Sequence, residues 1–218
     1  MAAIKCSKVR QRAASFCEDH LVHLRPLKVG SRNREERFVF PEVGDLKGTS
    51  FELCADEVSF VNGLIGGQAN QGMRRHNLWL YRTDQQRNAG DFVLIDVSSP
   101  PRRIGPLQVP CWDVFILDLK MNGRFQLGGS GAGFQLNDWE RAAESAITTT
   151  ARTRGVLPEP HQGLGLWHRL VEPRCVWRIV GDRRDVLSFF RNLRLMRRLR
   201  RRVGDDPRTL EGLFEALC

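Results

Sequence analysis

Apolar positions in this chain form short unbroken runs in the middle and helical stripes towards the C-terminus. Phe92-Val93-Leu94-Ile95-Asp96-Val97 and Val114-Phe115-Ile116-Leu117-Asp118-Leu119 are the two clearest runs. Both are rich in Val, Ile and Phe and are bounded by turn residues, which predicts buried strands. Leu78-Trp79-Leu80-Tyr81 and Cys175 to Val180 predict two more, and Phe38-Val39-Phe40 reads as a strand-like piece. Met121-Asn122-Gly123 predicts a tight turn into another strand, Arg124 to Leu127. The links from Phe92 to Leu127 are short and non-helical, so an antiparallel meander is expected there.

Helical periodicity marks the remaining elements. Val9, Ala13, Phe16, Cys17, His20 and Leu24 recur at helical spacing until Pro26, predicting a helix that ends by about Gly30. Residues 50 to 65 fit a short strand followed by a helix or loop. Trp139, Ala142, Ala143, Ala146 and Ile147 would form the buried face of a helix capped by Asn137 or Asp138. Val186, Phe189, Phe190, Leu193, Met196 and Leu199 predict one long helix, capped by Asp185 and ended by Gly204. Asp206-Pro207 opens a short final helix. Residues 153 to 174 read as a long loop. The expected architecture is one α+β domain over 1–218. An N-terminal helix spans 1–30, a sheet core spans 38–152, and a terminal strand and basic helices span 175–218. The central sheet is expected to be mainly antiparallel, with a mixed sheet as the alternative.

Charge narrows the partners. With 34 basic and 25 acidic residues the chain carries +9, which favours nucleic acid, an acidic protein face or anionic lipid. The six cysteines are scattered, so reduced thiols are expected rather than a disulfide framework. No apolar stretch approaches the roughly 18 residues that span a bilayer, and the N-terminus has no signal-peptide core. A cytoplasmic location is the expectation.

The chemistry centres on two aspartates and a lysine. A carboxylate near the end of a buried strand must be paired, solvated or metal-bound. Asp96 and Asp118, on adjacent strands, are candidate ligands for one Mg²⁺, which takes one or two carboxylates plus waters and phosphate oxygens. Lys120, two residues beyond Asp118, points to the same strand face and would orient the attacking water or stabilise developing charge. This arrangement of hydrophobic strand, Asp, connection, hydrophobic strand and Asp-x-Lys resembles the PD-(D/E)xK nuclease superfamily. The separation, 118 − 96 = 22, suits that pattern. The resemblance covers about residues 50 to 150. It implies an α/β core, Mg²⁺-dependent phosphodiester cleavage, and a further Glu from a preceding helix, either Glu52 or Glu57. It also implies a helper role for Gln135. The chain departs from the family where no Pro precedes Asp96 and where Asp118 replaces the more usual Glu.

Four other features invite chemistry. Arg191, Arg194, Arg198 and Arg201 would share one face of the basic C-terminal helix, a footprint suited to nucleic-acid phosphates or an acidic partner. This stripe supports a non-catalytic binding or assembly module as the rival to a nuclease. Gly128 to Gly133 is a flexible connection or a phosphate-holding loop, without Walker or dinucleotide spacing. Cys17, His20 and His23 lack a second ligand pair for zinc. Cys111 with His161 or His168 is a candidate thiol–imidazole pair.

Overall fold

The two central apolar runs become neighbouring antiparallel strands, and the sheet grows outward from them. In the computed structural model the described residues are 21–24, 46–66, 78–85, 90–104, 107–127, 136–154, 172–204 and 206–216. Strands β1 (Leu21–Leu24), β2 (Leu78–Thr83), β3 (Phe92–Asp96), β6 (Cys111–Leu119), β7 (Gln126–Leu127) and β8 (Glu172–Gly181) form one six-stranded sheet, ordered β1-β2-β3-β6-β8-β7. Only β6 and β8 run parallel. A small hairpin of β4 (Arg102–Ile104) and β5 (Leu107–Val109) fills the β3–β6 connection. The fold is α+β, with a mixed, mostly antiparallel sheet.

Helices cover both faces, which is why the central runs carry apolar residues at every position rather than at alternate ones. On one face Phe92, Leu94, Phe115 and Leu117 pack with α1 (Ala55–Gly66), α3 (Arg183–Arg191), α4 (Leu193–Val203) and α5 (Pro207–Glu215). Phe115, Trp177, Phe189 and Phe190 form a ring cluster at its centre, with centroids 5.2 to 6.4 Å apart. Each such buried side chain contributes about 1.5–3 kcal/mol over an exposed one. On the other face Val93, Ile95, Trp112, Val114 and Ile116 pack under α2 (Leu136–Thr153) through Trp139, Ala142, Ala143 and Ala146. That apolar stripe on α2 is the one read from the sequence.

Four elements differ from expectation. Leu21–Leu24 is an edge strand paired with β2, not the end of a helix. Pairing to a formed sheet, with His23 stacked on Trp79 at 4.7 Å, outweighs a weak helical pattern. The rest of that N-terminal segment lies outside the described residues, as do Phe38 to Phe40, most of the 153–174 loop, the glycine run and Gln135. The turn at Met121-Asn122 forms, with Asn122 at φ 66°, but β7 pairs with β8 instead of β6. Both edges of β6 are already taken by β3 and β8. Helix α2 starts at Leu136, so neither Asn137 nor Asp138 is its cap. The long C-terminal helix is two helices broken at Asn192, and its cap is Asp182, whose Oδ1 accepts from the Arg184 and Asp185 N–H groups. Gly204 and Asp206-Pro207 act as read from the sequence.

Candidate functional site

The register of β3 on β6 decides which acids meet. Phe92 lies opposite Leu117 and Asp96 lies opposite Asp113. Asp96 therefore sits at the start of β6, while Asp118 sits near its end. Five residues of strand separate Asp113 from Asp118, roughly 17 Å at the usual rise. The odd spacing also puts them on opposite faces. Asp96 points to the side of Phe92 and Leu94, and Asp118 to the side of Val114 and Ile116. Asp96 and Asp118 do not share a cation, and the expected Asp96–Asp118–Lys120 set is corrected on this ground.

Asp96 has a structural partner instead. It is wholly buried, its Oδ1 accepts from the Ser98 N–H at 2.9 Å, and its Oδ2 accepts from Arg197 Nη2 at 2.9 Å. The same Nη2 also meets Asp113 Oδ2. Arg197 thus pins α4 to the end of the β3–β6 pair. Burying two carboxylates is tolerable because a guanidinium lies between them.

A different aspartate lies close enough to feel the Asp118 charge. Asp91 stands one residue before β3, and its N–H donates to Leu117 O at 2.8 Å, extending the β3–β6 ladder. That bond is one residue out of step with the Phe92–Leu117 pairing, so a bulge sets Asp91 and Phe92 both opposite Leu117, next to Asp118. Asp91 Oδ2 accepts from the Leu119 N–H at 2.5 Å. Burial pushes the Asp91 carboxyl up to about 6 against the pull of the Leu119 N–H, with the Asp118 charge adding to the rise. Gly90 makes this placement possible. Its φ is +80°, and a Cβ there would stand 2.9 Å from Leu117 O, so the chain enters β3 through a position that suits glycine.

Asp118 is nearly buried, with Oδ1 held 2.9 Å from Lys120 Nζ. Its Oδ2 is buried with no hydrogen-bond partner. Lys120 itself is half-exposed and its N–H donates to Gly181 O at 2.9 Å, tying the strand end to β8. The shared face of Asp118 and Lys120 is as the sequence indicated. Behind Asp91, the buried Arg82 donates to Asp91 O at 3.0 Å and pairs with Glu57 on α1 at 2.8 Å. Glu57 Oε2 also accepts from the Cys54 N–H. Glu52 precedes α1, and its carboxylate accepts from the Gly48 N–H at 2.8 Å. Of the two glutamates, Glu57 is the helix residue nearest the site, and it holds Arg82.

No family model, curated protein or solved structure matches this chain.

Both Asp91 oxygens already have partners: Oδ1 lies 3.6 Å from Arg82 Nη1, and Oδ2 takes the Leu119 N–H. Asp118 Oδ2 has no hydrogen-bond partner, and the Asp118 charge adds to the cost of ionising Asp91. Among the described residues no three His, Cys, Asp or Glu side chains form a ready-made cage. Two carboxylates with waters and phosphate oxygens are the usual Mg²⁺ set, so a full protein cage is not required. Elsewhere, Arg194, Arg198 and Arg201 are exposed along α4, and Arg191 is exposed at the end of α3. Cys54 and Cys111 are free thiols, while His161 and His168 lie outside the described residues. No helix among the described residues is long and apolar enough to cross a membrane.

Asp91 lies just outside the apolar run that begins at Phe92. The signal was present. In an antiparallel pair, the end of one strand neighbours the start of the next, which brings the residues just before Phe92 near Asp118.

Proposed function

We propose that this chain is a Mg²⁺-dependent nuclease that cuts phosphodiester bonds in nucleic acid, with its site at Asp91, Asp118 and Lys120. The observation that carries the reading is the buried, partnerless Oδ2 of Asp118 beside Asp91, with Lys120 Nζ on the other oxygen. The resemblance to PD-(D/E)xK nucleases supports it, with Asp91 in place of Asp96 as the first acid. Gly90 then stands where that motif has Pro. Glu57 on the preceding helix supports it further.

Asp118 would hold the cation through Oδ2, with Asp91 the neighbouring carboxylate. A bound cation would polarise the phosphodiester and lower the pKa of a water. Lys120 Nζ, held on Asp118, would face the negative charge that builds on the phosphate oxygens, a preorganised contact. Arg82 fixes the backbone of Asp91, and Glu57 fixes Arg82, so the first carboxylate is held before any ligand arrives. The net charge of +9 and the exposed Arg191, Arg194, Arg198 and Arg201 suit a polyanionic substrate.

Incubation of the protein with end-labelled DNA and RNA, with Mg²⁺ or with chelator, tests the reading. Cleavage only with the metal supports it. Absence of cleavage of every polynucleotide with Mg²⁺ or Mn²⁺ overturns it. The exposed arginine stripe favours one rival, a non-catalytic module that binds nucleic acid or an acidic protein without reaction. Salt-sensitive nucleic-acid binding without metal-dependent cleavage would select that rival.

A further inference from the structure

At the end of β6 that carries Asp118, the exposed cations are not those of the α4 stripe. Arg197, on the same helix as that stripe, is anchored to Asp96 and Asp113 at the far end of β3 and β6. The near end carries a different set. Lys120, Met121, Asn122, Gly123 and Arg124 make the turn that leaves β6, and its next residue, Phe125, packs against Gly181 at the end of β8. Gly181 in turn leads directly into α3, where Arg184 is exposed. Arg124 is exposed as well, and Met121 is 83% exposed, the most exposed large apolar side chain among the described residues.

This turn is held in shape. The Lys120 N–H is bonded to Gly181 O. Asn122 takes a left-handed φ of 66°. A Cβ on Gly123 would come 2.5 Å from Lys120 Cβ, so any side chain there would displace the lysine that pairs with Asp118. A fixed turn that presents an apolar tip between two cations, beside buried carboxylates, has no role in the core. Apolar tips of this kind, Met included, press against bases or sugars in nucleic-acid complexes, while flanking cations take phosphates.

We infer that the turn Lys120–Arg124, together with Arg184, is the rim that grips the polynucleotide strand next to the scissile phosphate. Arg124 and Arg184 take the neighbouring phosphates and Met121 lies against a base or sugar. This inference rests on the nuclease reading for the word scissile. Its binding part stands apart from catalysis.

The test measures binding, so it survives failure of the cleavage assay. Affinity of the Asp118→Asn protein for fluorescein-labelled single-stranded and duplex DNA is followed against salt, in chelator. Arg124→Gln and Arg184→Gln should each weaken binding and lower the slope of log affinity against log salt by about 0.7–0.9. Met121→Glu should weaken binding about tenfold or more through repulsion, and Met121→Leu should leave it intact. These residues are exposed, and a thermal melt matching the parent shows that each variant folds. Unchanged affinity and slope in the two arginine variants, with loss confined to Arg194→Gln, Arg198→Gln and Arg201→Gln, overturns the inference.

Discussion

Lys120 Nζ stands 2.9 Å from one carboxylate oxygen of Asp118, and the other oxygen of that aspartate is buried with no partner. A half-neutralised buried carboxylate of this kind is costly unless a further cation completes it. In the proposed reaction Lys120 would serve both as counter-ion and as a donor to developing charge. Lys120→Met should cut single-turnover cleavage by roughly 10²–10³-fold, with Lys120→Arg intermediate. Rapid-quench rates at saturating Mg²⁺ check this.

Arg197 is the second prediction. Its guanidinium joins Asp96 and Asp113, both wholly buried. Removing one partner of a buried charge group typically costs about 3–5 kcal/mol, because it leaves charge without compensation. Arg197→Met should destabilise the protein on that scale in urea unfolding. An Arg197→Met, Asp96→Asn, Asp113→Asn triple variant should recover much of the loss. Equal stability of wild type and Arg197→Met would show that the cluster contributes nothing.

Gly90 is the third. Its φ of +80° and the 2.9 Å approach of a would-be Cβ to Leu117 O leave no room for a side chain. Gly90→Ala should destabilise by about 1 kcal/mol or more and shift the Asp91 N–H contact to Leu117 O. Thermal melts read the first effect, and amide exchange at Asp91 reads the second.

The pH dependence follows from Asp91. Burial, and then the Asp118 charge, raise its carboxyl from an ordinary 3.8 to about 6. The folded protein therefore binds this proton more tightly than the unfolded chain does. Its contribution to stability is fully present below pH 3.8 and is lost as pH rises through about 6. Asp91→Asn removes that titration and keeps an oxygen for the Leu119 N–H. Without divalent metal, the Tm of Asp91→Asn minus that of wild type should grow between pH 5 and pH 7.5, by linkage through the value near 6. A constant difference across that range would contradict the assignment.

The sequence was most legible where both faces of an element are covered. The runs at Phe92 and Val114 could only be buried strands, and the α2 stripe from Trp139 to Ile147 could only face a sheet. It was least legible where pairing decides. Leu21–Leu24 carries helical spacing, yet a free sheet edge on β2 claims it. β7 follows a tight turn, yet the parallel strand β8, arriving from far along the chain, occupies the position beside β6. The candidate site shows the same division. Asp118 and Lys120 share a face by strand geometry alone, which needs no partner strand. The third residue depends on the β3–β6 register. A match by motif spacing selects Asp96, whereas antiparallel geometry brings the end of β6 beside the start of β3, where Asp91 lies. The fate of Asp96 could not be read at all, since Arg197 meets it from a helix 101 residues away.

The central claim is that Asp118 belongs to a cutting site and Asp96 to a structural tie. The most direct measurement is the Mg²⁺-dependent cleavage rate of one labelled polynucleotide by wild type, Asp118→Asn and Asp96→Asn, each normalised to its folded fraction. The account predicts cleavage by wild type, a loss of roughly 10²-fold or more in Asp118→Asn, and a near wild-type rate in folded Asp96→Asn. Equal rates in Asp118→Asn and wild type, or a loss in Asp96→Asn as large as that in Asp118→Asn, would contradict it.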